Sequence, residues 1–312
     1  MGLKDLGVVI AAVVYSAAAV SIFLALGCDD SITPPPEDPE FGTAELIYTL
    51  DSEVIYGAGL ADVSADGSTY VLRSYDENTK ERSLWILEVP DGEPWLIASD
   101  PYHWWGYATL SPDKENVVFA DGDGIYVIPV AGGEARLVYG NVIWAEASQW
   151  TDNETVLLVT LEDRWYIKTV NINTLETYTL TSIKDNNVHS AALSPNGDKL
   201  YVSCEHDPDF DLGEQYYYAR IYDTDTWDYY EYIDMPSYGN GPWSPDGTKV
   251  SLLSANNYIR YYDIYTNEPV DIFHSNKLIL SGRGWWTPDG RYIIASAKSD
   301  DGDLMVYRVL AE

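Results

Sequence analysis

A four-residue turn recurs six times along this chain, and it restricts the fold more than any other feature. It reads Ser64-Ala65-Asp66-Gly67, Ser111-Pro112-Asp113-Lys114, a degenerate Thr151-Asp152-Asn153, Ser194-Pro195-Asn196-Gly197, Ser244-Pro245-Asp246-Gly247 and Thr287-Pro288-Asp289-Gly290. Successive copies start 47, 40, 43, 50 and 43 residues apart. A period of about 45 residues is that of four-stranded propeller blades. Turn chemistry accounts for the residue types. Proline presets φ at the second position, Asp or Asn caps the turn with its side chain, and Gly accepts the positive φ that other residues resist.

Each turn leads into a β-rich run, as in Tyr70 to Arg73, Asn116 to Ala120, Thr155 to Leu161 and Lys199 to Ser203. A third strand rich in aromatic and β-branched residues follows, for example Ile125-Tyr126-Val127-Ile128 or Leu304-Met305-Val306-Tyr307. After a second turn comes a short outer strand such as Ala135 to Tyr139. The sixth repeat stops before its outer strand, and Ala44-Glu45-Leu46-Ile47-Tyr48 supplies a spare one. The expectation is an all-β, six-bladed β-propeller of four-stranded blades, with the last blade closed by the N-terminal strand so that no sheet edge is left open. The expected segments are 1–27 for a signal peptide or anchor, 28–43 for a tether and 44–312 for the propeller.

These turns, the hairpin Ser299-Asp300-Asp301-Gly302-Asp303 before a third strand and Gly132-Gly133-Glu134 before an outer one resemble the WD40-like (PD40) repeats of the TolB family. The resemblance spans Ala44 to Leu310. It implies the propeller fold and leaves function open, since similar repeats serve translocation factors, peptidase gating domains and surface lipoproteins. The chain differs from TolB itself in having only a short tether where TolB has an N-terminal α/β domain, and in carrying a lipidation-like cysteine. The resemblance also implies that Trp150, Trp243 and Trp286, each just before a repeat turn, pack between blades.

Leu6 to Gly27 carries no charge and is followed by Cys28, Asp29 and Asp30. Ala25-Leu26-Gly27-Cys28 resembles a lipoprotein signal, which would make Cys28 the lipidated N-terminus, although Ala25 stands where that motif usually has Leu. The stretch is also long enough to remain as an uncleaved membrane-spanning helix. Either way the remainder lies on the periplasmic or cell-surface side of a bacterial membrane, in the cell envelope. Lipidation of Cys28 would leave Cys204 unpaired; a Cys28 to Cys204 disulfide is the competing reading. The acidic, proline-rich run Asp29 to Phe41 reads as an extended tether.

Eighteen Lys plus Arg stand against 50 Asp plus Glu, a formal charge of −32, and no basic stripe interrupts the acid. Nucleic acid is therefore excluded as a partner. There is no Gly-x-Ser-x-Gly elbow, no glycine-rich phosphate loop and no paired-histidine metal motif; His103, His189, His206 and His274 fall in different repeats. No cofactor is expected. Asp207, Asp209, Asp211 and Glu214 form the one calcium-like segment, but the sixth and twelfth positions of an EF-hand loop are occupied by Leu212 and Tyr218. The motif therefore fails, and a long acidic hairpin between the second and third strands of blade four is the preferred reading, with an irregular calcium site as the alternative.

The 26 Tyr and 11 Trp invite a carbohydrate reading, but β-propensity accounts for those inside strands, such as Tyr216 to Tyr218, Tyr229, Tyr230 and Tyr232. Connections from one blade's outer strand to the next blade's inner strand converge on one mouth of a propeller. They contribute Tyr102, His103, Trp104, Trp105, Trp144, Glu146, His189, Tyr238, Asn240 and Arg283 as candidate ligand-binding residues. The expected function is that of a monomeric, non-enzymatic, membrane-anchored lipoprotein whose mouth binds a protein, peptide or envelope component. A glycan-binding surface lipoprotein is the alternative, and a propeller lyase or hydrolase a third.

Overall fold

The structure, a computed structural model, describes residues 41–311 apart from 101–104, 122–123, 184–186, 207–215, 236–241, 254–256 and 277. Blade one comprises Gly59–Val63, Thr69–Tyr75, Arg82–Glu88 and Trp95–Asp100, and blade two Trp105–Leu110, Asn116–Asp121, Gly124–Pro129 and Arg136–Gly140. Blade three holds Trp144–Trp150, Thr155–Leu161, Trp165–Asn171 and Thr177–Ile183, and blade four Asn187–Leu193, Lys199–His206, Tyr216–Asp223 and Tyr229–Met235. Blade five has Lys249–Leu253, Tyr258–Asp263 and Glu268–His274; its inner edge is marked by a single bridge from Trp243 to Val250. Blade six runs Ile279–Trp286, Tyr292–Lys298, Leu304–Leu310 and then Ala44–Leu50, the N-terminal strand.

This is the expected six-bladed ring, closed as expected. Ala44 lies opposite Val309 and Leu50 opposite Leu304 in an antiparallel ladder. The closure reaches one blade further than the sequence suggested. Phe41 bridges His274 at the edge of blade five, donating its N–H to the His274 carbonyl at 3.3 Å and accepting the His274 N–H at 3.1 Å.

The repeat turns work as their residues predict. In blade one's turn, Ser64 Oγ donates to Asp66 Oδ1 at 2.7 Å and accepts the Thr69 N–H at 2.9 Å. Ser111, Ser244 and Thr287 repeat both contacts, and Ser194 does so with Asn196. The glycines sit at φ between 68° and 75°, and Lys114 adopts 62° in their place. A second turn motif escaped the sequence reading. In Asp76-x-x-Thr79, Asn171-x-x-Thr174, Asp223-x-x-Thr226 and Asp263-x-x-Thr266 the first side chain accepts two backbone N–H groups, and the residue after Thr adopts a left-handed φ of 60° to 64°.

Hydrophobic burial is divided among six wedges, one at each blade-to-blade junction. A second strand feeds two wedges because its side chains alternate in direction. Val156 and Leu158 enter the wedge shared with blade two, whereas Leu157 and Val159 enter the one shared with blade four. Burial on both faces explains the unbroken apolar run, whose residues each contribute roughly 1.5–3 kcal/mol. At the junction of blades five and six there is no room for a side chain on Gly284: a Cβ would sit 2.6 Å from Leu253 Cδ1 and 2.8 Å from Ile293 Cγ2.

Trp150 and Trp243 lock neighbouring blades as expected. Their indoles are buried and donate across the junction, Trp150 to the Thr109 carbonyl at 3.0 Å and Trp243 to the Ala192 carbonyl at 2.9 Å. Trp286 departs from the pattern and is only half-buried, against Tyr261 and Lys249 of blade five. Its equivalent partner would be the Pro242 carbonyl, but the Ser251 N–H and hydroxyl occupy that acceptor. The buried, hydrogen-bonded indole of blade six belongs instead to Trp285, one residue earlier and facing the channel.

Candidate functional site

Inner strands line the central channel of a propeller, and here every inner strand with a recorded ladder is interrupted by a register irregularity. These lie between Leu60 and Asp62, Trp105 and Ala108, Ala147 and Gln149, Val188 and Ser190, and Ser281 and Trp285. A bulge re-aims the side chains next to it. Polar groups that would otherwise be directed into a wedge thus reach the channel.

Asp62 is the first of them. Its Oδ2 accepts the Thr109 hydroxyl at 2.6 Å and the Leu110 N–H at 2.7 Å, and its Oδ1 accepts the Trp285 indole at 2.8 Å. One carboxylate therefore joins blades one, two and six. Burial pushes its pKa up, while the Thr109 and Leu110 bonds and the charge of Arg283 oppose that shift. Sequence reasoning missed Asp62, because nothing marks a strand aspartate two residues before a turn as channel-facing.

Arg283 and Glu146 are the second feature, and both were candidates from sequence. Blades six and three stand opposite each other in a six-membered ring, so Arg283 crosses the channel. Its Nη2 donates to Glu146 Oε1 at 3.2 Å and its Nη1 to the Ser148 carbonyl at 3.3 Å. The guanidinium carbon lies 4.3 Å from the centroid of the Tyr107 ring in blade two. Glu146 is buried at 1% exposure. Burial drives its carboxyl well above the usual carboxylate range, and Arg283 pulls it back. Next to the pair is a cavity of about 100 Å³ lined by Asp62, Thr109, Gln149, Ser190, Arg283 and Trp285 among others.

Nearer the mouth, His189 Nε2 lies 3.0 Å from Glu205 Oε2, both on blade four. Trp144 packs edge-on against Trp165 with centroids 5.3 Å apart, each half-buried, beside the strongly exposed Ile143. Tyr139 of blade two donates to Glu162 Oε1 at 2.7 Å and accepts from Lys168 at 2.8 Å, with Lys168 also paired to Glu162. Trp105 lies on the inner strand of blade two. Tyr102, His103, Trp104, Tyr238 and Asn240 fall outside the described residues, as do Asp207, Asp209, Asp211 and Glu214 of the acidic hairpin. Leu6–Gly27 and Cys28 also fall outside them. Among the described residues no three His, Cys, Asp or Glu side chains are grouped to hold a metal ion. Cys204 is fully buried, and burial raises its thiol to about 12, so it is unreactive at neutral pH.

Geometry of this kind defines a six-bladed β-propeller with a polar, ion-paired channel. No protein-family model and no curated protein matches the sequence. Solved structures do match the fold. TolB from Acinetobacter baumannii superposes with a TM-score of 0.55 at 16% identity, covering 80% of this chain and 66% of that one, so about a third of the Acinetobacter protein lies outside the match. A putative TolB from Agrobacterium tumefaciens gives 0.56 at 17% identity over 82% of this chain and 91% of that one. A chain of a mitotic checkpoint complex gives 0.57 at 15% identity over 93% and 99%. At these identities the likeness is one of fold, shared by TolB and WD40-type propellers.

Proposed function

We propose that this protein is a non-enzymatic, membrane-anchored lipoprotein of the cell envelope whose propeller binds a protein, peptide or envelope component through its mouth. The crossing of the channel by Arg283 carries this reading. With Glu146 and Asp62 already engaged, the interior is committed to holding blades together, and recognition falls to the rim loops. Similarity to propellers found in TolB and in a multiprotein checkpoint complex supports a binding role. Lipidation at Cys28, or an uncleaved N-terminal helix, would fix the propeller to the membrane.

The test uses full-length protein extracted from membranes. A photocrosslinking residue at Ile143 or Trp144 should trap a discrete envelope partner, and one in an outer-face turn, such as at Asp91, should not. Equal labelling from both positions would sink the mouth reading. Mass spectrometry should find an acylated N-terminal Cys28, and an intact Met1 would replace the lipoprotein with a helix anchor. The half-exposed Trp144 and Trp165 pair favours the glycan alternative, because indole faces stack on sugar rings; retention of glycan without any protein partner would establish it. Turnover of a polysaccharide or lactone panel would revive the lyase or hydrolase reading.

A further inference from the structure

Carboxylates outnumber cations nearly three to one in this chain, and seven of the described cations pair with one. Lys114, Arg164, Lys168, Lys199, Arg260, Arg283 and Arg308 each meet a carboxylate. Arg73, at the mouth end of blade one's second strand, is one of several described cations without an ion pair, as are Lys80, Arg136, Lys249 and Lys298. It is exposed, and among the described residues it has neither an ion pair nor a side-chain hydrogen bond; its recorded interaction is with the Tyr107 ring, whose centroid lies 6.0 Å from its guanidinium carbon. Its cross-strand neighbour is Gly59, and a Cβ there would lie 3.9 Å from Arg73 Nε. The missing side chain lets Arg73 lie over the inner strand toward the channel. Arg283 approaches the same ring, with its own carboxylate partner already in place. Two guanidiniums thus converge on one tyrosine, and among the described residues one of them has no ion-pair partner.

We propose that Arg73, beside Tyr107 and Arg283, is a subsite for a single carboxylate of a peptide ligand, either its chain terminus or an acidic side chain. This rests on the mouth-binding reading above and adds the chemistry of what binds. The planar guanidinium fork matches a carboxylate bidentately, and the tyrosine ring holds it in place. The surroundings select one charge over many. Glu81, Glu162, Asp163, Asp300 and Asp301 stand on hairpins at the same end of the ring, so an extended polyanion laid across the mouth would meet like charge.

Full-length protein labelled with 15N at arginine Nε gives the readout, with Arg73→Gln identifying the Arg73 resonance. N-acetyl-penta-alanine with a free C-terminal carboxylate should shift that resonance and saturate, and its C-terminal amide should bind at least about tenfold more weakly. Equal titration by acid and amide, or no shift with either, would overturn the proposal. Acetate matching the peptide at equal concentration would reduce the site to a simple-ion site. Digalacturonate saturating at a lower concentration than the peptide would assign it to acidic glycan instead. Loss of the peptide response with rim crosslinking intact defeats the subsite alone. Peptide saturation with no rim partner defeats the broader reading alone.

Discussion

The carboxylates of the repeat turns and those of the channel face opposite environments. Asp66, Asp246 and Asp289 lie at the surface and accept nearby hydroxyl and backbone N–H donors, and those bonds, with Lys114 added at Asp66, hold their pKa values low. Asp62 and Glu146 lie inside, where burial dominates and raises theirs. Acid at the surface is local and repeated: each residue folds its own turn. Acid in the channel is long-range, joining blades 47 to 223 residues apart in sequence through Asp62. The turn carboxylates therefore say little about a partner, while the two interior ones tie together blades distant in sequence.

Removing Asp62 should give the largest effect. Asp62→Ala leaves the Thr109 hydroxyl, the Leu110 N–H and the Trp285 indole without their acceptor at the junction of three blades. The expected loss is about 3–5 kcal/mol, read as a lower urea midpoint. Asp246→Ala, in a surface turn, should cost about 1 kcal/mol. Equal losses would erase the distinction between the two regions.

The channel pair should respond asymmetrically. Where Glu146 is ionised, above about pH 8, Arg283→Gln strands a buried carboxylate and should cost about 3 kcal/mol, whereas Glu146→Gln keeps a neutral acceptor and should cost nearer 1 kcal/mol. Linkage sharpens this. A carboxyl whose folded pKa is raised favours the fold fully below its unfolded value near 4.3 and loses that contribution as pH rises through the folded value, about 8 for Glu146. Stability should thus decline from pH 5 to pH 8 through this group, and Glu146→Gln should flatten that slope. The turn aspartates have lowered values, so their contribution is present above an unfolded pKa near 3.9 and is lost as pH falls through the still lower folded value. Urea midpoints across pH 2 to 9 separate the limbs, and an unchanged slope in Glu146→Gln would refute the assignment.

Within the turns, the hydroxyl matters more than the charge. Ser244 donates to Asp246 at 2.6 Å and accepts the Lys249 N–H at 2.9 Å. Ser244→Ala should cost about 1–2 kcal/mol. Gly247→Ala, at φ 68° with Pro195 Cδ at an ordinary contact distance of 3.5 Å from the added Cβ, should cost about 1 kcal/mol from backbone strain. Thermal melts that rank these two in the opposite order would show that the left-handed φ, and not the hydroxyl network, holds the turn.

These magnitudes explain what could be read from sequence. Turn chemistry is local, so Ser-Pro-Asp-Gly with its period fixed the blade count, the strand order and closure by Ala44 to Tyr48. Channel geometry depends on bulges, which leave no residue signature and decide whether a polar side chain faces a wedge or the channel. Arg283 and Glu146 were picked out as rim residues, but their meeting across opposite blades needed the ring closed. Asp62 and the approach of Arg73 to Tyr107 were invisible for the same reason. The shift of the buried indole from Trp286 to Trp285 is a one-residue matter of which way a side chain points, beyond what a repeat alignment resolves.

The smallest expected effect lies where turns of neighbouring blades touch. Lys114 Nζ donates to Asp66 Oδ2 at 2.6 Å and to Ser68 Oγ at 2.7 Å, linking the turns of blades two and one. It is the surface counterpart of the Asp62 junction between the same blades. Both partners are substantially exposed, at 31% and 59% of their side chains, so water and salt screen the pair. Lys114 also occupies the left-handed position that other copies give to glycine. Lys114→Gly therefore removes an ion pair and relieves a φ of 62° together, and the two changes oppose each other. The net shift should be within about 0.5 kcal/mol of zero. It should move toward stabilisation as salt is raised from 0.05 to 0.5 M, because screening weakens only the lost ion pair. A large, salt-independent destabilisation would mean that surface acid, like channel acid, binds blade to blade.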